Sequence, residues 1–137
     1  MATKVMVVGV FDGIHGGHRA FFEEAKHYGD RLVAVVTRDE IVEALKGRPA
    51  GLDMEGRADE LRAEDHVDEV VFGDTELDSW EVVRSHRPDV IALGYDQTDL
   101  KKAIEAHLEN FHWHLELKVM RPHQPDVYHS GLMNSSH

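Results

Sequence analysis

Gly9-Val10-Phe11-Asp12-Gly13-Ile14-His15-Gly16-Gly17-His18 is the stretch on which the reading of this 137-residue chain turns. It follows a β-branched apolar run, Met6 to Val10. It precedes His18 to Tyr28, whose Ala20, Phe21, Phe22 and Ala25 lie on roughly one face of a helix. Gly29 suits a helix stop, and Leu32 to Val36 is a second β-branched run. Strand, glycine-rich loop, helix and strand make a βαβ unit with a right-handed crossover. Gly13, Gly16 and Gly17 let backbone approach a ligand closely, and the helix start behind them offers unpaired amides and the positive end of a dipole. His15 and His18 flank that start with imidazole donors suited to phosphate oxygens. Spacing alone leaves two readings open: a phosphate loop, or a glycine-rich turn with surface histidines in a chain that carries 11 His.

Outward from this unit the alternation continues. A helix is predicted from Asp39 to Leu45, then a loop from Gly47 to Gly51 containing Pro49, then a helix from Asp53 to Ala63. Glu69 to Phe72 reads as a strand, and Asp78 or Ser79 as the cap of a helix ending near His86. Val90 to Leu93 is a fourth strand, Asp99 to Asn110 a helix and His114 to Met120 a fifth strand. This order predicts a Rossmann-like, doubly wound α/β fold with a parallel five-stranded sheet. Ligands of such sheets bind beyond the carboxyl ends of the strands. Here those ends lead into the His/Gly loop, Thr37-Arg38-Asp39, Gly94-Tyr95-Asp96-Gln97 and Arg121.

The length predicts one domain, residues 1–133, with a polar, frayed tail at 134–137. Nothing approaches the roughly 18 uninterrupted apolar residues of a membrane span. The start, Met1-Ala2-Thr3-Lys4, lacks the marks of a signal peptide, so a cytoplasmic protein is expected. The absence of cysteine excludes disulfides, thiolate metal sites and cysteine nucleophiles. A formal net charge of -11 argues against nucleic acid or an anionic membrane as partner. Small anions remain open to it, since they need only a local cluster of donors.

The run Gly9 to His18 resembles the GxFDxxHxGH signature of the cytidylyltransferase-like nucleotidyltransferases, and the resemblance extends from about Lys4 to Met133. It implies that His15 and His18 stabilise the transition state of nucleotidyl transfer, with Val10, Phe11, Asp12 and Gly17 beside the phosphates. It matches Lys46 to a lysine that reaches the triphosphate, Arg57 to an arginine opening the next helix, and Arg121 to a phosphate-binding arginine. Without the resemblance, Lys46, Arg57 and Arg121 would read as solvated surface charge. Leu93-Gly94-Tyr95-Asp96-Gln97 resembles the "LGYDQ" of archaeal-type FAD synthases. There Asp96 would accept from a ribose hydroxyl or base amino group and Tyr95 would line the pocket. Taken alone, Gly94 to Gln97 is a polar turn after a buried strand.

The C-terminal stretch departs from the family pattern. Ser130 retains one hydroxyl of a Ser/Thr-rich element that contacts triphosphate, while Gly131 replaces the second, which predicts weaker nucleotide binding or turnover. The pair His112 and His114 lacks accompanying carboxylates at a telling spacing and reads as a strand start, not as a metal site. The resemblance implies transfer of AMP from ATP to FMN, giving FAD and pyrophosphate, with Mg2+ as cofactor, Asp12 as its contact and a homodimer as the assembly. The alternatives are a CTP-dependent cytidylyltransferase acting on glycerol 3-phosphate or a similar phosphorylated alcohol, and a non-catalytic nucleotide-binding protein. The protonation of the histidines stays open, because a helix start disfavours imidazolium while a triphosphate favours it.

Overall fold

β1 (Lys4–Gly9) and β2 (Arg31–Val36) form the centre of the sheet, and their β-branched residues other than the partly buried Val8 are buried because helices cover both faces. The computed structural model describes residues 3–76 and 79–121. After β1 come α1 (Gly16–Lys26), β2, α2 (Asp39–Lys46), α3 (Met54–Arg62), β3 (Glu69–Phe72) and α4 (Glu81–His86). β4 (Val90–Leu93), α5 (Thr98–His107), a 3-10 turn (Leu108–Asn110) and β5 (Glu116–Val119) complete the described chain. The strands lie in the order β3-β2-β1-β4-β5, every pair parallel, as the sequence predicts for a doubly wound sheet.

Side chains alternate across the sheet and divide the core in two. Val5, Val7, Leu32, Ala34 and Val36 face Phe22 and Ala25 of α1 and Ala58 and Leu61 of α3. Met6, Val35, Ile91 and Leu93 face Val83 of α4, Ile104 of α5, and Phe111 and Leu115. Gly29 lies where the turn after α1 passes the start of β1: a Cβ there would stand 2.7 Å from the Thr3 carbonyl oxygen and from Val5 Cγ2. No helix among the described residues is long and apolar enough to cross a membrane.

Two local expectations are corrected. α4 is not capped by Ser79, and Asp78 lies outside the described residues. Its N-cap is Trp80, in the left-handed region at φ 57°, and the amide of Val82 donates to Asp74 Oδ1 at 2.8 Å. The cap therefore comes from eight residues upstream, brought round by the turn after β3. β5 begins two residues later than predicted, because Trp113 folds inward to donate Nε1–H to the Pro88 carbonyl at 2.7 Å under the Arg87 guanidinium.

Candidate active site

The chain reverses direction across the sheet at β1: the connection after β1 leads to β2 on one side, and β4 returns on the other. β1 and β2 remain paired from Lys4↔Arg31 up to Gly9↔Val36, but the β1–β4 register covers only Val5↔Val90 and Met6↔Ile91. Beyond Met6 the ladder between the two strands ends, which leaves the carboxyl edge between the loop after β1 and the turn after β4 as the candidate crevice. This is where open α/β sheets place their ligands.

The loop on the β1 side is held up from beneath. Phe11 adopts φ 54° and turns its ring into the core, 93% hidden, against Phe22 at 5.5 Å and His18 at 6.0 Å between centroids. Such a backbone conformation is costly for a bulky residue, and the buried ring offsets that cost. Gly9 makes room for it, since a Cβ there would meet the Phe11 ring at 3.0 Å. Phe11 thus supports the loop, and only its backbone is left to face a ligand.

His15 is the N-cap of α1, and the two histidines form a reciprocal capping box. His15 Nδ1 accepts from the Gly17 amide at 3.1 Å, and His18 Nδ1 accepts from the His15 amide at 3.3 Å. An imidazole nitrogen that accepts carries no proton, so in the neutral ring the proton sits on Nε2. Both histidines are thereby fixed as Nε2–H donors. The rings stand 4.1 Å apart. Burial pushes the His18 pKa down, as does the neighbouring His15, while Asp96 pulls it upward more weakly. Burial and the neighbouring imidazole thus act on His18 in the direction of the neutral ring, the form that a helix start also favours. Gly17 serves this arrangement: its amide is taken by His15, and a Cβ there would lie 3.0 Å from His15 Cε1.

Across the crevice, Gly94, Tyr95, Asp96 and Gln97 form a tight turn closed by Gln97 N–H donating to the Gly94 carbonyl at 3.0 Å. Tyr95 and Asp96 are exposed, and Asp96 is near enough to His18 to act on its charge. Gln97, to which the sequence assigns no role of its own, accepts from the Gly94 amide at 2.8 Å and donates to the Val8 carbonyl at 2.9 Å. Thr37 performs a similar service on the other flank, bonding the Gly9 carbonyl through both its amide and its hydroxyl.

Arg57 does not join a surface cluster of positive charge. Its side chain is completely buried, with Nε donating to the Leu52 carbonyl at 3.0 Å and Nη1 to those of Val10 and Thr37 at 2.9 Å each. Nη2 pairs with Asp39 at 2.7 Å. One planar fork joins the loops after β1, β2 and α2. A signal for this exists in the sequence, since Arg57 and Leu61 are four residues apart and share the buried face of α3.

Asp12 is likewise a tie between loops. Its two carboxylate oxygens accept from the amides of Gly51 and Leu52 at 2.7 and 3.0 Å, and these bonds hold its pKa below the ordinary value, with smaller help from Arg57 and Lys46. No group of three or more His, Asp or Glu among the described residues is arranged to hold a metal ion. Asp12 thus ties the loop after β1 to the loop after α2. Lys46 is exposed at the end of α2, which closes on Gly47 at φ 75°. Arg121 follows β5, its side chain 88% exposed and 3.9 Å from Glu24. Ser130 and Gly131 lie outside the described residues.

The sequence model of the family described as Cytidylyltransferase-like matches residues 6–133. The chain is 48% identical over 94 residues to the FAD synthase of Pyrococcus abyssi, covering 69% of this chain and 64% of that protein. It is 39% identical over 125 residues to the FAD synthase of Thermococcus sibiricus, covering 90% of this chain and 84% of that one. Among solved structures, the lipopolysaccharide core biosynthesis protein of Thermoplasma volcanium superposes with a TM-score of 0.83 at 29% identity, covering 90% of this chain and 100% of that chain. A protein of unknown function from Archaeoglobus fulgidus, at TM-score 0.69 and 17% identity over 87% of this chain and 90% of that one, shares the fold.

Proposed function

Because this chain belongs to the cytidylyltransferase-like family, we propose that it binds ATP in the crevice between β1 and β4 and transfers AMP to the phosphate of FMN, giving FAD and pyrophosphate. The observation that carries the reading is the meeting of two stretches. The histidine pair stands on one lip, and the Gly94–Gln97 turn stands on the other with Asp96 acting on His18. The relatives that share this sequence at 39% and 48% identity are named FAD synthases, which supports FMN as the acceptor.

A phosphate oxygen of FMN forms a bond to the α-phosphorus of ATP while the bond to the α,β-bridging oxygen breaks, its electron pair leaving with pyrophosphate. The nucleophile is already an anion, so no side chain need remove a proton. The Nε2–H groups of His15 and His18 donate to oxygens on which charge grows, a stabilisation that is stronger in the transition state than in bound ATP. Lys46 and Arg121 add positive charge beside the triphosphate, and Val10 and Phe11 contribute backbone. Asp96 accepts from a ribose hydroxyl or the base amino group, with Tyr95 beside it. Magnesium enters as part of the substrate MgATP, and Asp12 would offer its carboxylate to the ion or its waters. A cytoplasmic location accompanies this reading, since ATP is the donor.

The test supplies the purified protein with MgATP or MgCTP and with FMN or glycerol 3-phosphate, recording pyrophosphate. Release is expected with ATP and FMN together. Release that requires CTP and ignores FMN overturns the assignment. Binding of nucleotide with no release in any combination makes the protein a non-catalytic nucleotide binder.

A further inference from the structure

We propose that Gln97 is the positioning residue of this crevice, fixing the separation of its two lips and thereby the placement of Asp96 against His18. The inference rests on the reading above only in taking the crevice as the nucleotide site. Its side chain uses both ends: Oε1 accepts from the Gly94 amide at 2.8 Å, and Nε2 donates to the Val8 carbonyl at 2.9 Å. The Val8 carbonyl lies past Met6↔Ile91, where the β1–β4 ladder ends, and one residue before Gly9 starts the histidine loop. Gln97 thus spans the gap that the backbone ladder leaves open, joining residues 89 positions apart.

The rest of the turn is built around the same side chain. The Gln97 amide donates to the Gly94 carbonyl at 3.0 Å, and its own carbonyl accepts from Lys101 at 3.0 Å in the first turn of α5. A Cβ at Gly94 would stand 3.0 Å from Asp96 Oδ1 and 3.6 Å from Gln97 Oε1, so the Asp96 carboxylate is folded down on the turn. That carboxylate supports the positive form of His18 across the gap, so its position is reported by the His18 ring. A leucine at 97 has similar bulk and neither hydrogen bond. A methionine keeps the length of the side chain, likewise makes neither hydrogen bond, and adds no charge.

The experiment follows the His18 ring by NMR titration in the full chain, for wild type, Asp96→Asn, Gln97→Leu and Gln97→Met. Asp96→Asn is expected to lower the His18 midpoint. Gln97→Leu is expected to lower it too, and Asp96→Asn/Gln97→Leu to go no lower than Asp96→Asn alone. In turnover, Gln97→Leu should raise KM for the nucleoside triphosphate about tenfold, the effect of losing a bridging pair of hydrogen bonds, and move kcat by less than about threefold. A His18 midpoint unchanged in a folded Gln97→Leu protein overturns the proposal. If that variant does not fold, Gln97→Met, which adds no charge of its own, decides by the same midpoint, and loss of folding in both makes Gln97 a structural residue instead. The titration needs no substrate. A shifted His18 in a protein that makes no FAD therefore leaves the positioning role standing while the proposed activity falls.

Discussion

Replacing Arg57 with Met separates the two roles this arginine has been given. A ligand-binding arginine at the mouth of the site would cost affinity and leave the fold nearly untouched. The structure requires the reverse. Met fills part of the buried volume but leaves the carbonyls of Leu52, Val10 and Thr37 without the donors that now reach them at 2.9–3.0 Å. Each buried acceptor left unsatisfied costs on the order of 1–3 kcal/mol. The partner carboxylate of Asp39 is 39% exposed and still accepts from the Met54 amide, so it returns to water and adds little. The three bonds are part-buried, so about 1–1.5 kcal/mol for each carbonyl applies, a loss of about 3–5 kcal/mol in all and a large part of the 5–15 kcal/mol typical of whole domains. For a chain of this size that lowers Tm by roughly 10–15 °C. Arg57→Lys should be nearly as harmful, because an ammonium cannot reach three carbonyls and a carboxylate at once. Urea unfolding followed by circular dichroism measures the loss, and calorimetric titration with MgATP measures affinity. Unfolding free energy within about 1 kcal/mol of wild type, together with tenfold weaker ATP binding, would refute the buried-clamp account.

The two duties of the histidines can also be separated. His15→Asn keeps a side-chain cap for α1 and removes the Nε2–H donor, so it should cost turnover with little stability, whereas His15→Ala should lose a further ~1 kcal/mol of stability. His18→Ala should lower kcat far more than it weakens nucleotide binding, and equal losses in both would make His18 a binding residue. The pH dependence follows from the depressed His18 pKa. The folded protein takes up this proton less readily than the unfolded chain, whose His titrates near the ordinary 6.5. The resulting stability is complete above pH 6.5 and is lost as pH falls from there through the lower folded value. His18→Gln retains a capping-box side chain without the titration. Its Tm should therefore fall less than that of wild type between pH 7 and 5, and parallel Tm curves would contradict the depressed pKa.

Much of the scaffold was legible because its signals are local. β3 and β4 fall on the predicted residues, and α2 and α3 end within one residue of them, since apolar runs and caps such as Asp53 act over a few positions. The histidine loop was legible for the same reason. What escaped are side chains whose partners are distant in sequence. Asp74 caps α4 from eight residues away, Arg57 reaches Val10 across 47, and Gln97 reaches Val8 across 89. No periodicity marks a polar residue that will be buried among carbonyls supplied by other segments. Asp12 shows the same limit, since nothing local marks a carboxylate that will tie its loop to the amides of Gly51 and Leu52, 39 and 40 positions away.

On the proposed reading of the site, the histidine cap also restricts the kind of acceptor. With both Nδ1 lone pairs given to backbone amides, each ring has only a proton to offer toward the crevice and no vacant nitrogen with which to take one. An alcohol, which must shed its proton as it attacks, would find no base in this pair without first unpicking the start of α1. A phosphate monoester comes already ionised. The way the helix begins thus selects among acceptors by charge state before any pocket tests their shape.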